Sequence, residues 1–427
     1  MQDQLFGFLD STPTALHTAL ELTERLTANG FARLDPRQRW QLEAGARYFL
    51  TRGASVVAWI SGHIPPGESG FHVATAHTDS PALKLKHAAA RNESGYLVAP
   101  VEVYGSPIFS SWLDRDLTIA GALVVEGEEP ESPRLVPFTF QEPCAVIPNL
   151  AIHLNRKINE GFAYNAHDHL HAVLDIDADR RSTVQPHDAL LQAAARVAGV
   201  QAPEIMRAEM FLFDTQPAAA TGLSQTLFSA SQIDNKAGCL TLCEALCGAK
   251  RPAATAMAVF YDHEEIGSRS WSGADSVLLA HVMERIVALA GESAEARYRA
   301  AATSTIISND AANGVHPSYR DKHDSAYAPL LGGGPVLKSD ANQRYAGTPE
   351  LEATFAALCR REGHPMQQLV SRADMRPGST VGPFSAAHTG IATIDVGVPL
   401  LAMHSIRETA ALADVVALRD VLRSYFA

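Results

Sequence analysis

No apolar run in this 427-residue chain approaches the roughly 20 residues that a membrane span needs. Basic charge is short as well: 35 Lys and Arg stand against 47 Asp and Glu, a formal charge of −12. That balance argues against nucleic acid and anionic membrane surfaces as partners. The opening residues, Met1-Gln2-Asp3-Gln4, show no basic region leading into an apolar core, so no secretory signal is expected. The five cysteines include no CxxC pair. Cys239, Cys243 and Cys247 recur at every fourth position, one stripe of a helix and most simply core packing, while Cys144 and Cys359 stand alone. Together these absences point to a reducing cytoplasm. What remains is 46% hydrophobic and 19% charged, the composition of an ordinary globular protein with room for two or three domains.

The chemistry gathers at Tyr261-Asp262-His263-Glu264-Glu265-Ile266-Gly267-Ser268, directly after an apolar run, Ala253 to Phe260, that reads as a buried strand. Two adjacent carboxylates are costly to place beside a core. Strand neighbours point in opposite directions, but a turn just past the strand brings both to one cavity. One can then ligate a metal while the other takes a proton from water. An isolated Glu-Glu is more often a solvated acidic turn, so the rest of the chain has to decide.

Taken in order, Thr12 and Pro13 open an expected amphipathic helix that stops at Gly30. Two apolar runs between Arg47 and Ile60 flank Thr51-Arg52-Gly53 as a hairpin. The strand Phe71 to Ala76 ends in His77-Thr78-Asp79-Ser80-Pro81, where Asp79 can orient a ligating His77. From 87 to 229 the texture turns mostly β, with alternating stretches at Tyr96 to Tyr104, Leu117 to Val125 and Glu204 to Phe213, and one helix, Ala189 to Val197. His167, His169 and His171 would share a strand face there, but their setting is polar and lacks carboxylates at ligand spacing; a solvated face is the better reading. After Ser231 the α/β order returns: a helix from Lys236 to Cys247, one from Ser276 to Leu289, a strand from Thr303 to Ser308 ending in Asn309-Asp310, a helix opened by Thr348-Pro349, and final strands Gly390 to Val396 and Leu400 to Met403 before His404-Ser405-Ile406-Arg407-Glu408.

His77, Asp234, Glu265, Asp310 and His404 therefore share one placement, just after a strand or at a helix opening. In α/β sheets the strand carboxyl ends face one crevice. Two His and three carboxylates suit two divalent ions sharing a bridging carboxylate, which leaves Glu264 as the base.

These residues resemble the aspartyl aminopeptidases, a family of dinuclear metallopeptidases. The resemblance runs along nearly the whole chain and includes Ser111-Trp112-Leu113-Asp114-Arg115-Asp116, Leu150-Ala151-Ile152-His153-Leu154, Ala341-Asn342-Gln343-Arg344-Tyr345 and Gly378-Ser379-Thr380. It implies an α/β fold, a mixed-sheet three-layer αβα metallopeptidase domain (1–86 and 230–427) interrupted by an inserted, mostly β dimerisation domain (87–229). It implies Asp234 as bridging ligand, His77 and Asp310 completing one metal position, and Glu265 and His404 the other. Glu264 matches the catalytic base, Asp79 the acid behind His77, and His153 a histidine that reaches the partner subunit's active site. The implied cofactors are two divalent ions per subunit, zinc before cobalt or manganese. The implied partners are peptide substrates and further copies of the chain, a homodimer building block assembling into a homododecamer.

Two positions depart from the family pattern. Asn313 replaces a histidine close to the substrate, and Ser339-Asp340 follows Lys338 where a neutral pair is usual. An acidic N-terminal side chain entering a carboxylate-rich site needs a local cation, for which Lys338 is the first candidate and Arg407 the second. Alternatives are a preference for non-acidic N-termini, a dinuclear amidase or deacylase on a small substrate, and a catalytically dead assembly protein. The last predicts a lost ligand or base, and none is lost.

Overall fold

The computed structural model describes residues 1–129, 132–176 and 185–427. The chain forms two compact units, one of residues 1–79, 218–403 and 408–427, the other of residues 80–217 and 404–407. The divisions fall several residues earlier than the change in sequence texture, and the short segment 404–407 belongs with the second unit.

The first unit is built on a nine-stranded mixed sheet. Its spatial order is Ala32–Arg33, Arg47–Arg52, Ser55–Ile60, Thr255–Tyr261, Phe71–His77, Thr305–Asn309, Ala392–Gly397, Val336–Ser339 and Gln367–Val370. The hairpin expected between Arg47 and Ile60 forms, with Arg47 opposite Ile60. Four neighbouring strands, from Thr255–Tyr261 to Ala392–Gly397, run parallel. Such strands are covered on both faces, and two separate cores show it. On one face Ala74, Ala76, Ala256 and Ala258 meet the helix Ile233–Gly248 through Cys239, Leu242, Cys243 and Leu246. Small strand residues let that helix approach closely. On the other face bulkier Val73, Met257, Val259 and Tyr261 pack with the helix Leu278–Leu289. Each large aliphatic or aromatic side chain buried this way contributes about 1.5–3 kcal/mol. The first expected helix spans Ala15–Ala28, and its cap is Thr14 rather than Thr12, because the Thr14 hydroxyl is the one that accepts the His17 N–H. A helix the sequence did not announce, Gln2–Ser11, precedes it and buries Leu5, Phe8 and Leu9.

A smaller five-stranded sheet in the same unit carries Ala312–Asn313, Pro399–Leu401 and Glu408–Ala411. The loop before Val336–Ser339 is pinned by Asp414, whose carboxylate accepts the Gly332 and Gly334 N–H groups, each at 2.7 Å. Asp414→Ala is expected to leave the buried Gly334 donor unpaired, Gly332 being exposed to water, and to cost about 1–3 kcal/mol, read as a lower urea midpoint.

The second unit is mostly β. One antiparallel sheet orders Arg134–Thr139, Leu117–Val125, Ile205–Asp214, Ala82–Leu85 and Val101–Tyr104. A three-stranded sheet holds Ala172–Ile176, Tyr96–Ala99 and Arg91–Glu93. The expected Tyr96 to Tyr104 strand is thus broken at Pro100, and its halves join different sheets. The expected helix forms at Pro186–Ala198. His167, His169 and His171 do not share a strand face: Ala166–His169 is a helical turn capped by Asn165.

Candidate metal centre

The four parallel strands deliver their carboxyl ends to one edge. Tyr261 is level with His77, and Ser308 is level with Thr75, so His77, the Glu264-Glu265 pair and Asp310 leave the sheet side by side. Past Tyr261, His263 takes a left-handed conformation at φ 67°, which histidine tolerates better than most residues. That breaks strand alternation, and Glu264–Ile266 coils into a 3₁₀ turn with both carboxylates on offer. Asp234 enters from the opening of the helix Ile233–Gly248, with extended rather than helical backbone angles there; its peptide bond to Asn235 is cis.

Within the first unit these groups converge. His77 Nδ1 lies 3.0 Å from the Asp79 carbonyl oxygen, and His77 Nε2 lies 3.2 Å from Asp310 Oδ1 and 3.4 Å from Asp234 Oδ1. The Asp79 carboxylate accepts the Glu264 and Glu265 backbone N–H groups, each at 3.1 Å. Asp79 thus meets His77 chiefly through its backbone carbonyl, its carboxylate lying 3.5 Å from Nδ1, while the carboxylate itself holds the Glu264 turn. Ligating atoms of His77, Asp234 and Asp310 lie within 4.8 Å of one another, as do those of His77, Glu264 and Glu265. The Cys239 thiol donates to the His77 carbonyl at 2.9 Å. Gly397 is required beside Asp310, since a Cβ there would lie 1.7 Å from the Asp310 carbonyl oxygen.

Electrostatics define what such a cluster can hold. Burial first, and then the charges of Asp310, Asp79 and Asp234, push the Glu264 carboxyl up to about 8. Burial with Asp234 and Glu264 raises Glu265 strongly. Burial opposes charge on His77, but Asp234, Asp310 and Asp79 outweigh it and hold the imidazolium well above the usual range. Asp310 is held low against burial by Lys338 and His77. So dense a set of buried oxygens calls for cations, and a bound divalent ion reverses the sign of this local field. Carboxylates with imidazole are the donors of zinc-like ions, so the residues fit the expected metal.

The remaining expected residues are placed as follows. Lys338 is buried, its ammonium 3.6 Å from Asp310 Oδ2 and donating to the Ala311 carbonyl at 3.0 Å. It faces the ligand cluster rather than open solvent. Asn313 is exposed at the end of its short strand. His404 and Arg407 lie in the segment that packs with the second unit. His404 Nδ1 sits 3.1 Å from the Ser106 carbonyl oxygen, a tie that engages one of its two ring nitrogens. Arg407 donates to the carbonyls of Gln216 and Pro217 at 3.0 and 2.8 Å. His153 is exposed in the second unit, between Ile152 and Leu154, which are 48% and 74% exposed.

Two buried acids escaped the sequence reading. Glu408 accepts the Asp234 N–H at 2.9 Å. Asp395 accepts the Ala346 N–H and the Thr380 hydroxyl at 2.6 and 2.8 Å, tying together the loops that carry them. Glu408 stood in a quoted motif; Asp395 lies inside an apolar strand, where an acid is itself the signal of a buried task.

The model of the family described as aminopeptidase I zinc metalloprotease (M18) matches residues 8–426. A protein of Pseudomonas savastanoi pv. phaseolicola described as "Probable M18 family aminopeptidase 2" is 40% identical over 429 residues, covering 100% of this chain and 98% of the relative. Among solved structures, a chain from the cryo-EM structure of the Ape4 and Nbr1 complex superposes with a TM-score of 0.95 at 31% identity, covering 99% of this chain and 84% of that one. The S. cerevesiae mApe1 dodecamer gives a TM-score of 0.84 at 26% identity, covering 99% and 95%. With a cluster of His and carboxylates that could hold a metal at the carboxyl edge of its mixed sheet and relatives matched end to end, this chain belongs to the M18 family of zinc aminopeptidases, hydrolases of the metallopeptidase class.

Proposed function

We propose that this chain removes the N-terminal residue of peptides with two divalent ions, zinc foremost, and with Glu264 as the base. The observation that carries the reading is the pair of triplets that meet at His77, one with Asp234 and Asp310 and one with Glu264 and Glu265, each within ligand distance. In this assignment Asp234 bridges, His77 and Asp310 complete one position, and Glu265 with His404 the other. Bound there, the ions would supply Lewis acidity toward a water and the scissile carbonyl. Glu264 takes the proton of the attacking water and returns it to the leaving amine. Asp79 keeps Glu264 in place through its backbone N–H and keeps the His77 ring in register.

Preference for an acidic N-terminal residue follows from the family resemblance, with Lys338, Arg407 and Asn313 as the residues that would set it. Metal analysis, with cleavage of peptides that begin with Asp, Glu, Leu or Ala and carry a free or acetylated amine, tests the reading. Two ions per chain and a strict need for the free amine are expected; equal cleavage of acetylated peptides would make it an amidase. Lys338→Met is expected to lower kcat/KM for N-terminal Asp more than for Leu. Equal loss for both, with reduced metal content, would place Lys338 behind Asp310 alone.

We further propose a cytoplasmic homo-oligomer built from dimers, as in the dodecamer named for the yeast relative, with His153 acting in the partner's site. Exposed Leu150, Ile152 and Leu154 around His153 support a second copy as its cover. A donor to the developing oxyanion is worth about 2.7–4 kcal/mol. Mixing inactive His153→Ala with inactive Glu264→Gln under subunit exchange is expected to restore activity, since one site per mixed dimer regains both groups. Exchange verified by native mass spectrometry without recovery would confine His153 to its own chain.

A further inference from the structure

Beside the metal-ligand cluster, the first unit carries a cleft of about 540 Å³ of which the proposed function uses only the end at Asn313. It runs from Asn313, Tyr345 and Met403 out to the loops that follow Asn313 and the edge strand Gln367–Val370. Although the chain has a formal charge of −12, the described lining includes no Asp or Glu. It carries Lys322, Arg372 and Arg376, with His316 and His323. Arg372 is tied to the Asp374 carboxylate and the Asp321 carbonyl, and Lys322 pairs with Asp321 at 3.3 Å, so both hold the rim in shape. Arg376 is exposed. A concave surface with no carboxylate in its described lining, to which the exposed Arg376 adds a guanidinium beside two cations already paired at the rim, recognises an anion.

The reach of the cleft narrows the choice of anion. Arg372 and Arg376 follow the strand Gln367–Val370, which lies three strand positions from Thr305–Asn309, the strand that ends at Asp310. At about 4.8 Å per strand that is roughly 14 Å sideways. The side chain of a substrate's first residue does not span such a gap. An extended peptide advances about 3.3–3.6 Å per residue, and an arginine side chain leans back toward it by several ångströms. The carboxylate that fits belongs two or three residues beyond the scissile bond.

We propose that this cleft is a carboxylate subsite for the leaving side of short peptides, read by Arg376 with Lys322 and Arg372 at its rim. Tri- and tetrapeptides with a free C-terminus are then the favoured substrate class; an acidic side chain at the same position supplies the same group. The proposal rests on the peptidase reading above, and the test separates the two. The metal-loaded full-length protein and its Arg376→Glu variant are given Ala-Ala-Ala, its C-terminal amide, Ala-Ala-Asp amide and Asp-Ala-Ala amide. Wild type is expected to favour the free acid over its amide by about tenfold in kcat/KM, the ordinary worth of a bond to a charged group. Arg376→Glu should erase that ratio while leaving the amide's kinetics and the metal content unchanged. Recovery by Ala-Ala-Asp amide in wild type alone assigns the subsite to acidic side chains as well as C-termini. The same ratio is read without turnover, by calorimetric binding of acid and amide to Glu264→Gln protein with and without Arg376→Glu. Absence of any cleavage would sink the peptidase reading, while the binding ratio still decides the cleft. An acid-to-amide ratio untouched by Arg376→Glu, or a loss confined to Asp-Ala-Ala amide, overturns the proposal.

Discussion

Glu264→Gln is expected to abolish turnover while leaving fold and metal content in place. The substitution keeps shape and nearly keeps volume, and the backbone N–H that docks on Asp79 at 3.1 Å is unaffected. What disappears is the ability to accept a proton. A general base contributes about 10²–10⁴-fold, so kcat should fall by that factor with KM little changed. Near-normal kcat in a fully metal-loaded variant would remove Glu264 from the chemistry and turn attention to Asp262, two residues earlier at the same strand end.

The second large effect is expected at Asp234. As the proposed bridge, it serves both metal positions, whereas His404 serves one. Asp234→Asn keeps the backbone N–H bonded to Glu408 and changes only the carboxylate. Mass spectrometry under native conditions should find both ions lost or weakly held in Asp234→Asn, and about one retained in His404→Ala. Activity should be lost in both, by far more than the roughly 10–100-fold change in affinity that follows when only a residue behind a ligand is altered. Two ions retained at full occupancy in Asp234→Asn would end the bridging assignment.

Much of this was legible in the chain itself. Apolar runs of strand length, each closed by His, Asp or Glu, marked where strands stop and what they present. The turn after Tyr261 was readable because strand alternation alone could not bring Glu264 and Glu265 together. Residue types, spacing and order along nearly the whole chain carried the family, and with it the fold class. Local pattern holds this information because strand burial and helix faces are properties of a dozen neighbouring residues.

Only the tertiary structure decided which ends meet. His77 and Asp310 are 233 residues apart, and their contact depends on two strands lying parallel and adjacent, which packing across the sheet selects and no local window records. The same limit hid the roles of Lys338 and Asp395. In sequence Lys338 is a cation on a short strand; in the fold that strand is covered, and the side chain, 2% exposed, turns to Asp310. Asp395 lies opposite it in the antiparallel register. The histidines at 167 and 169 are exposed, as the preference for a solvated face expected, but a cap at Asn165 makes a helical turn where alternation alone would have drawn a strand. Sequence determined which groups the protein carries to the ends of its strands. Sheet order, a long-range outcome of burying both faces at once, decided which of them share a site.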